Sequence, residues 1–251
     1  MDRRPLGRTG LSASPISFGA FKIGRNEKIK YAHAYSLPTD AETERLLNAV
    51  LDLGINLIDT APAYGTSEER IGKLIAHRNR DFLISTKVGE VFEAGQSTYD
   101  FSRPSVTASV HRSLKRLKRD VLDFVFVHAN DDNHVLTQSD VAETLATLRT
   151  QGLIRFIGHS GKTPAGARMA LKWSDALMIE YHPHDTSHEP ILPEAAHNGT
   201  AIFIKKPLAS GAIPPTQALP FLLRSPHVGT IVIGGLNPDH LHQNLTIACG
   251  S

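Results

Sequence analysis

The chain has almost no cysteine: one residue, Cys249, in 251. That excludes a disulfide framework and a metal site built on thiolates. No stretch approaches the ~20 apolar residues that a membrane span needs. The opening Met1-Asp2-Arg3-Arg4-Pro5-Leu6 lacks the apolar run of a signal peptide. An excess of charge of one sign is missing too. The net value is +2, with the 13 histidines neutral, and no block of basic residues stands out. Charge therefore argues for neither a nucleic acid nor a membrane surface as partner. Linkers and low-complexity segments are also absent. These absences lead us to expect a cytoplasmic protein forming one domain over residues 1–251.

What is present is an alternation. Short apolar runs at 16–20, 57–60, 82–87, 122–128, 155–160, 176–180, 201–206 and 230–234 are rich in Ile, Val, Leu and Phe. They show little period-two pattern, as strands buried on both faces do. Helical patterns lie between and after them, at 40–53, 67–77, 105–118, 140–151, 164–173, 190–198, 217–224 and 238–248. Gly54 marks the end of the first. Pro164, Pro190 and Pro238 sit near first turns, where the missing N–H costs nothing. Eight strand–helix pairs predict an α/β fold, a single (β/α)8 TIM barrel with a short N-terminal hairpin. An open doubly wound sheet shares the alternation. The count of eight, and the lack of a glycine fingerprint after the first strand, favour the barrel. Three longer connections, 24–38, 89–104 and 129–139, each follow a strand. In a barrel such loops gather at the C-terminal rim, where chemistry occurs.

Polar residues close several strands. Asp59 ends the second, with Tyr64 five residues on; Lys87 ends the third and His128 the fourth. A phenol has an unperturbed pKa of about 10. A neighbouring ammonium lowers it, and a carboxylate keeps that ammonium charged. An imidazole nearby can hydrogen-bond a carbonyl oxygen. The expected product is a proton donor tuned toward neutral pH. Taken singly, each residue is as well read as a turn former or packing group. Their convergence at successive strand ends is the argument.

The motifs then become specific. Leu6-Gly7-Arg8-Thr9-Gly10-Leu11 with Ser17-Phe18-Gly19 resembles the opening of the aldo-keto reductases. Gly54-Ile55-Asn56-Leu57-Ile58-Asp59-Thr60-Ala61-Pro62-Ala63-Tyr64-Gly65, then Ser67-Glu68, resembles that family's most diagnostic segment. Ile84-Ser85-Thr86-Lys87, the 114–128 run and Ile157-Gly158-His159-Ser160 are similar to its later strands. So are Glu180-Tyr181, Pro207-Leu208-Ala209-Ser210-Gly211 and Asn237-Pro238 with His240, Leu241 and Asn244. The resemblance spans nearly the whole chain.

It implies a catalytic tetrad of Asp59, Tyr64, Lys87 and His128 that reduces an aldehyde or ketone with a nicotinamide cofactor and no metal. Gly19, Ala20, Phe21 and Lys22 would lie along the cofactor. Ser160 would hold the carboxamide, although Gly161 replaces the usual Asn. Met178 replaces the usual Gln, and Lys205 the aromatic that stacks on the nicotinamide. Pro207, Leu208, Ser210, Gly211, Gly234, Gly235, His240 and Asn244 complete the expected cofactor set. His240 falls where relatives carry an Arg for the 2′-phosphate. NADP(H) is favoured, with NAD(H) as the alternative. Phe21, Phe92, His128 and Ala129 are the expected substrate contacts, with Tyr99 beside Phe92. The quick passage from Ser210 to Gln217, and an end at Ser251, predict an open mouth. A small-molecule carbonyl is the expected partner, with the protein a monomer or weak homo-oligomer.

Rival readings are a non-catalytic nicotinamide-binding sensor subunit and a metal-dependent hydrolase or lyase on the same barrel. The second would use His182, His184 and His188.

Overall fold

Strands that are apolar on both faces need a cover on each side. Here a ring of helices supplies one cover and the closed barrel interior supplies the other. In the computed structural model, which describes residues 2–29, 34–130, 135–137 and 139–250, eight parallel strands close on themselves. They are β1 (Ile16–Gly19), β2 (Leu57–Asp59), β3 (Leu83–Val88), β4 (Leu122–His128), β5 (Ile154–Ser160), β6 (Ala176–Glu180), β7 (Ala201–Lys205) and β8 (Val228–Ile233). The barrel runs in sequence order, and β8 returns to β1 through Ile231 opposite Ile16. The helices are α1 (Asp40–Asp52), α2 (Ser67–Leu74), α3 (Arg103–Leu117), α4 (Val141–Thr150), α5 (Pro164–Ala170), α6 (Ile191–Asn198), α7 (Pro215–Leu223) and α8 (Pro238–Cys249). Residues 30–33 of the first long connection, 131–134 and 138 of the third, Met1 and Ser251 lie outside the described residues. No helix among the described residues is long and apolar enough to cross a membrane.

Local chemistry explains the helix ends. Thr39 accepts from the Glu42 N–H, and the Glu42 carboxylate accepts from the Thr39 N–H, a reciprocal cap at the start of α1. Proline occupies the first turn of α3, α5, α7 and α8. Left-handed Gly199 and Gly250 stop α6 and α8.

Two apolar layers follow from the alternation of strand side chains. Leu57, Phe124, Phe126, Met178 and Phe203 fill the barrel interior. Phe203 meets Phe124 and Phe126 edge-on, both at 5.2 Å between ring centres. The expected N-terminal hairpin pairs Arg4–Pro5 with Ser12–Ala13, and the fully buried Leu6 beside it joins the interior cluster. A packed interior leaves the strand ends as the place for a site. A second hairpin, Glu90–Glu93 with Gln96–Tyr99, occupies the connection read from sequence only as a loop at 89–104.

Candidate active site

Strand register brings the polar strand ends together. Gly19 lies opposite Asp59, Asp59 opposite Ser85, and His128 opposite Ser160. Asp59 and Lys87 are almost fully buried. The Lys87 ammonium donates to Asp59 Oδ1 at 2.8 Å and Oδ2 at 2.7 Å, and to the Thr60 carbonyl at 2.9 Å. Ser85 Oγ donates to Asp59 Oδ1 at 2.7 Å. The ammonium stands 4.7 Å from the centre of the Tyr64 ring. Burial opposes its charge, but Asp59 and the phenol outweigh that and raise the Lys87 pKa.

A tight turn places Tyr64. Pro62–Tyr64 form one short helical turn, and Gly65 follows at φ +59°. A Cβ on Gly65 would sit 2.2 Å from the Gly24 carbonyl oxygen. Only glycine fits that approach. Thr66 N–H donates to the same carbonyl at 3.2 Å, and Ser67 Oγ donates to the Ala20 carbonyl at 2.9 Å. The Tyr-Gly pair is thereby locked to the end of β1. Phe21 meets the Tyr64 ring edge-on at 5.1 Å.

One expectation is corrected. The phenol pKa is pushed up to about 12, not down toward neutrality. Burial is the largest cause, and it exceeds the pull of Lys87; Asp59 and Glu90 add to the rise. The proton therefore stays on Tyr64 throughout the physiological range.

Two residues at the rim escaped the sequence reading. Glu90 follows Lys87 by three, at the base of the second hairpin, and its Oε2 lies 2.9 Å from His128 Nδ1. Arg25 lays its guanidinium 3.3 Å from the centre of the Phe92 ring and donates to the Ala63 carbonyl at 3.1 Å. A charge just beyond a strand end was the available signal for Glu90. For Arg25 there was none.

A second cluster forms a cleft of about 620 Å³ whose lining includes Lys22, Leu208, Gly234, Gly235, His240 and Asn244. All six belong to the expected cofactor set. The cleft falls within the size range of ligand sites, and the first turn of the twelve-residue α8 stands at it, although Pro238 has no N–H and the Asp239 N–H is already held by Asn237 Oδ1. Lys22 is the one lysine or arginine among the lining residues. These features fit a dinucleotide phosphate arm. Gly19 and Gly234 meet closely, since a Cβ on Gly234 would lie 2.9 Å from the Gly19 oxygen.

Other expected residues fall elsewhere. Lys205 does not project into solvent but donates to Ser160 Oγ at 3.1 Å and the Gly161 carbonyl at 2.6 Å. Met178 belongs to the interior cluster with Phe203 and has no N–H to offer a carboxamide. Ala129 is buried in the outer apolar layer, because one residue beyond His128 the side chain alternates to the other face. Ala20 and Pro207 are buried, whereas Ser210 and Gly211 are exposed on a turn. Tyr99 is exposed and lies opposite Glu90 in the hairpin. Among the described residues no three His, Cys, Asp or Glu are grouped to hold a metal ion.

An eight-stranded parallel barrel carrying a buried Asp–Lys pair under a tyrosine defines a class, and comparison with known proteins gives the family. A family model described as the aldo/keto reductase family matches residues 15–218. A crystal structure of an aldo-keto reductase from Pseudomonas aeruginosa is 41% identical, with a TM-score of 0.91, covering 99% of this chain and 94% of that one. The aryl-alcohol dehydrogenase (NADP(+)) of Phanerodontia chrysosporium is 34% identical over 81% of this chain and 57% of its own length. The NADH-specific methylglyoxal reductase of Escherichia coli is 28% identical over 85% of this chain and 69% of its own. The chain belongs to the aldo/keto reductase family, whose members are oxidoreductases that use nicotinamide cofactors.

Proposed function

We propose that the protein reduces a small aldehyde or ketone to the alcohol, consuming one NAD(P)H and one proton, with Tyr64 as the general acid. The observation that carries this reading is the buried Asp59–Lys87 pair beneath the Tyr64 ring. The bound nicotinamide supplies the hydride, and the protein supplies position and electrostatics. Tyr64 holds its proton and delivers it to the oxygen of the carbonyl as negative charge develops there. Lys87, saturated by Asp59 and Thr60, stabilises the phenolate left behind. Phe21 and the Arg25–Phe92 stack form one wall of the mouth. Lys22, Gly234, Gly235 and His240 would receive the phosphates, with Ser160 and Lys205 nearer the ring. NADPH is the favoured donor. With no arginine in the cleft lining, we expect NADH to be accepted as well. The relatives named above include one of each preference.

The test is turnover of NADPH and of NADH with a panel of aldehydes, alongside fluorescence titration of each dinucleotide. Tight binding of both without turnover of any carbonyl would overturn the reductase reading.

A further inference from the structure

His128 ends β4 beside Tyr64, with ring centres 6.4 Å apart. A carbonyl oxygen is an acceptor, so an imidazole that orients it must donate an N–H. A neutral imidazole has only one. The ring's Nδ1 lies 2.9 Å from the Glu90 carboxylate, but no aligned hydrogen bond joins them in the ligand-free site. Poorly aligned contacts are common in ligand-free sites and tighten on binding. The Glu90 side chain is 11% exposed. Ser97 Oγ donates to its Oε1 at 2.6 Å, and Tyr99 lies opposite it in the hairpin. Burial raises its pKa, but His128 above all, with Ser97 and Tyr99, holds the carboxylate down to about 2. At neutral pH it is an acceptor.

Resting on the reductase reading, we propose that Glu90 is a positioning residue that keeps the single proton of neutral His128 on Nδ1, so that Nε2 meets the reactant as a bare acceptor. The groups facing the ring among the described residues are Glu90 from the hairpin, Lys87 from β3, Tyr64 from the turn after β2 and Lys205 from β7. Burial lowers the imidazole pKa and the two lysines add to that, while Glu90 opposes them. At neutral pH the bare Nε2 takes the O–H of an alcohol but offers a carbonyl nothing. Protonation as pH falls creates a second donor to the carbonyl oxygen. Reduction should therefore rise on acidification and alcohol oxidation should fall, both on the titration of His128. Removing the Glu90 charge should move that titration to lower pH, because the carboxylate stabilises the imidazolium.

The experiment combines two readouts. Nitrogen-15 spectra of histidine-labelled protein, with His128 assigned by His128→Gln, report tautomer and pKa directly. Rate profiles for 4-nitrobenzaldehyde with NADPH, and 4-nitrobenzyl alcohol with NADP+, report the consequence. We expect the Nδ1–H tautomer in the wild type. Glu90→Gln should lower the His128 pKa by about one to three units, with the acid limb of kcat/KM moving equally. Glu90→Asp should keep the tautomer and restore most of the limb. An Nε2–H tautomer in the wild type, or a His128 pKa unmoved in Glu90→Gln, would overturn the proposal. A wild-type chain inert toward both reactants would overturn the reductase reading, while the ring resonances would still decide the role of Glu90.

Discussion

The two sides of the barrel rim are built differently. On the side of β2, β3 and β4, the polar atoms of Asp59 and Lys87 are closely partnered: the Asp59–Lys87 pair uses both carboxylate oxygens, Ser85 and a backbone carbonyl. On the side of β7, β8 and α8, a cleft is lined by glycines, one lysine and one histidine, and the neighbouring Ser210 and Gly211 are exposed. The first side has one workable arrangement. Removing either member leaves a buried charge alone, which costs several kcal/mol. The second side is lined by few charged side chains, so a change there leaves no buried ion pair broken. Chemistry should therefore be rigid in this protein and cofactor preference adjustable.

The sharpest way to break that contrast is Tyr64→Phe. It removes only the transferable proton, so kcat/KM for reduction should fall by about 10²–10⁴-fold while dinucleotide affinity by fluorescence titration stays nearly constant. Substantial residual reduction would place the acid elsewhere. Next in size is Lys87→Met, which should destabilise the fold by about 3–5 kcal/mol, read as the urea midpoint. Adding Asp59→Asn should recover part of that loss, because no uncompensated carboxylate remains. If the double variant is worse than the single one, the pair is not the source.

His240→Arg sharpens the other side. A guanidinium at the cleft should tighten NADPH about tenfold over NADH, a difference of about 1.4 kcal/mol. Equal gains for both would put the 2′-phosphate away from α8. The smallest effect is spectroscopic. Tyr64→Phe should delete a phenol titrating near pH 12 from the tyrosinate absorbance curve. The folded pKa stands above the unfolded value of about 10, so this group's contribution to stability is whole below the unfolded pKa. It is lost as pH rises through the folded one. An unchanged curve would mean that burial does not raise the phenol.

The chemical side was legible in sequence because its residues sit at strand ends within short motifs. Asp59, Tyr64 and Lys87 are each held by neighbours a few positions away or one strand over, and Gly65 reports its own backbone constraint. The surroundings were less legible. Met178 was expected at the cofactor and Ala129 at the substrate, whereas packing sets Met178 in the barrel interior and strand alternation sets Ala129 in the outer layer. Ser210 and Gly211 lie on an exposed turn whose local pattern carries no sign of what it faces.

The barrel itself was a property of the sequence alone: eight apolar runs too uniformly buried to face water, each followed by a helix, most of them with a cap, a first-turn proline or a glycine stop. What the chain order left open was decided in three dimensions. The partner of His128 comes from a hairpin 38 positions earlier, the lysine of β7 turns inward to Ser160, and the phenol gains rather than loses affinity for its proton. Each depends on how much water is excluded and which charges meet. Those quantities belong to the closed rim, and no segment of the chain holds them by itself.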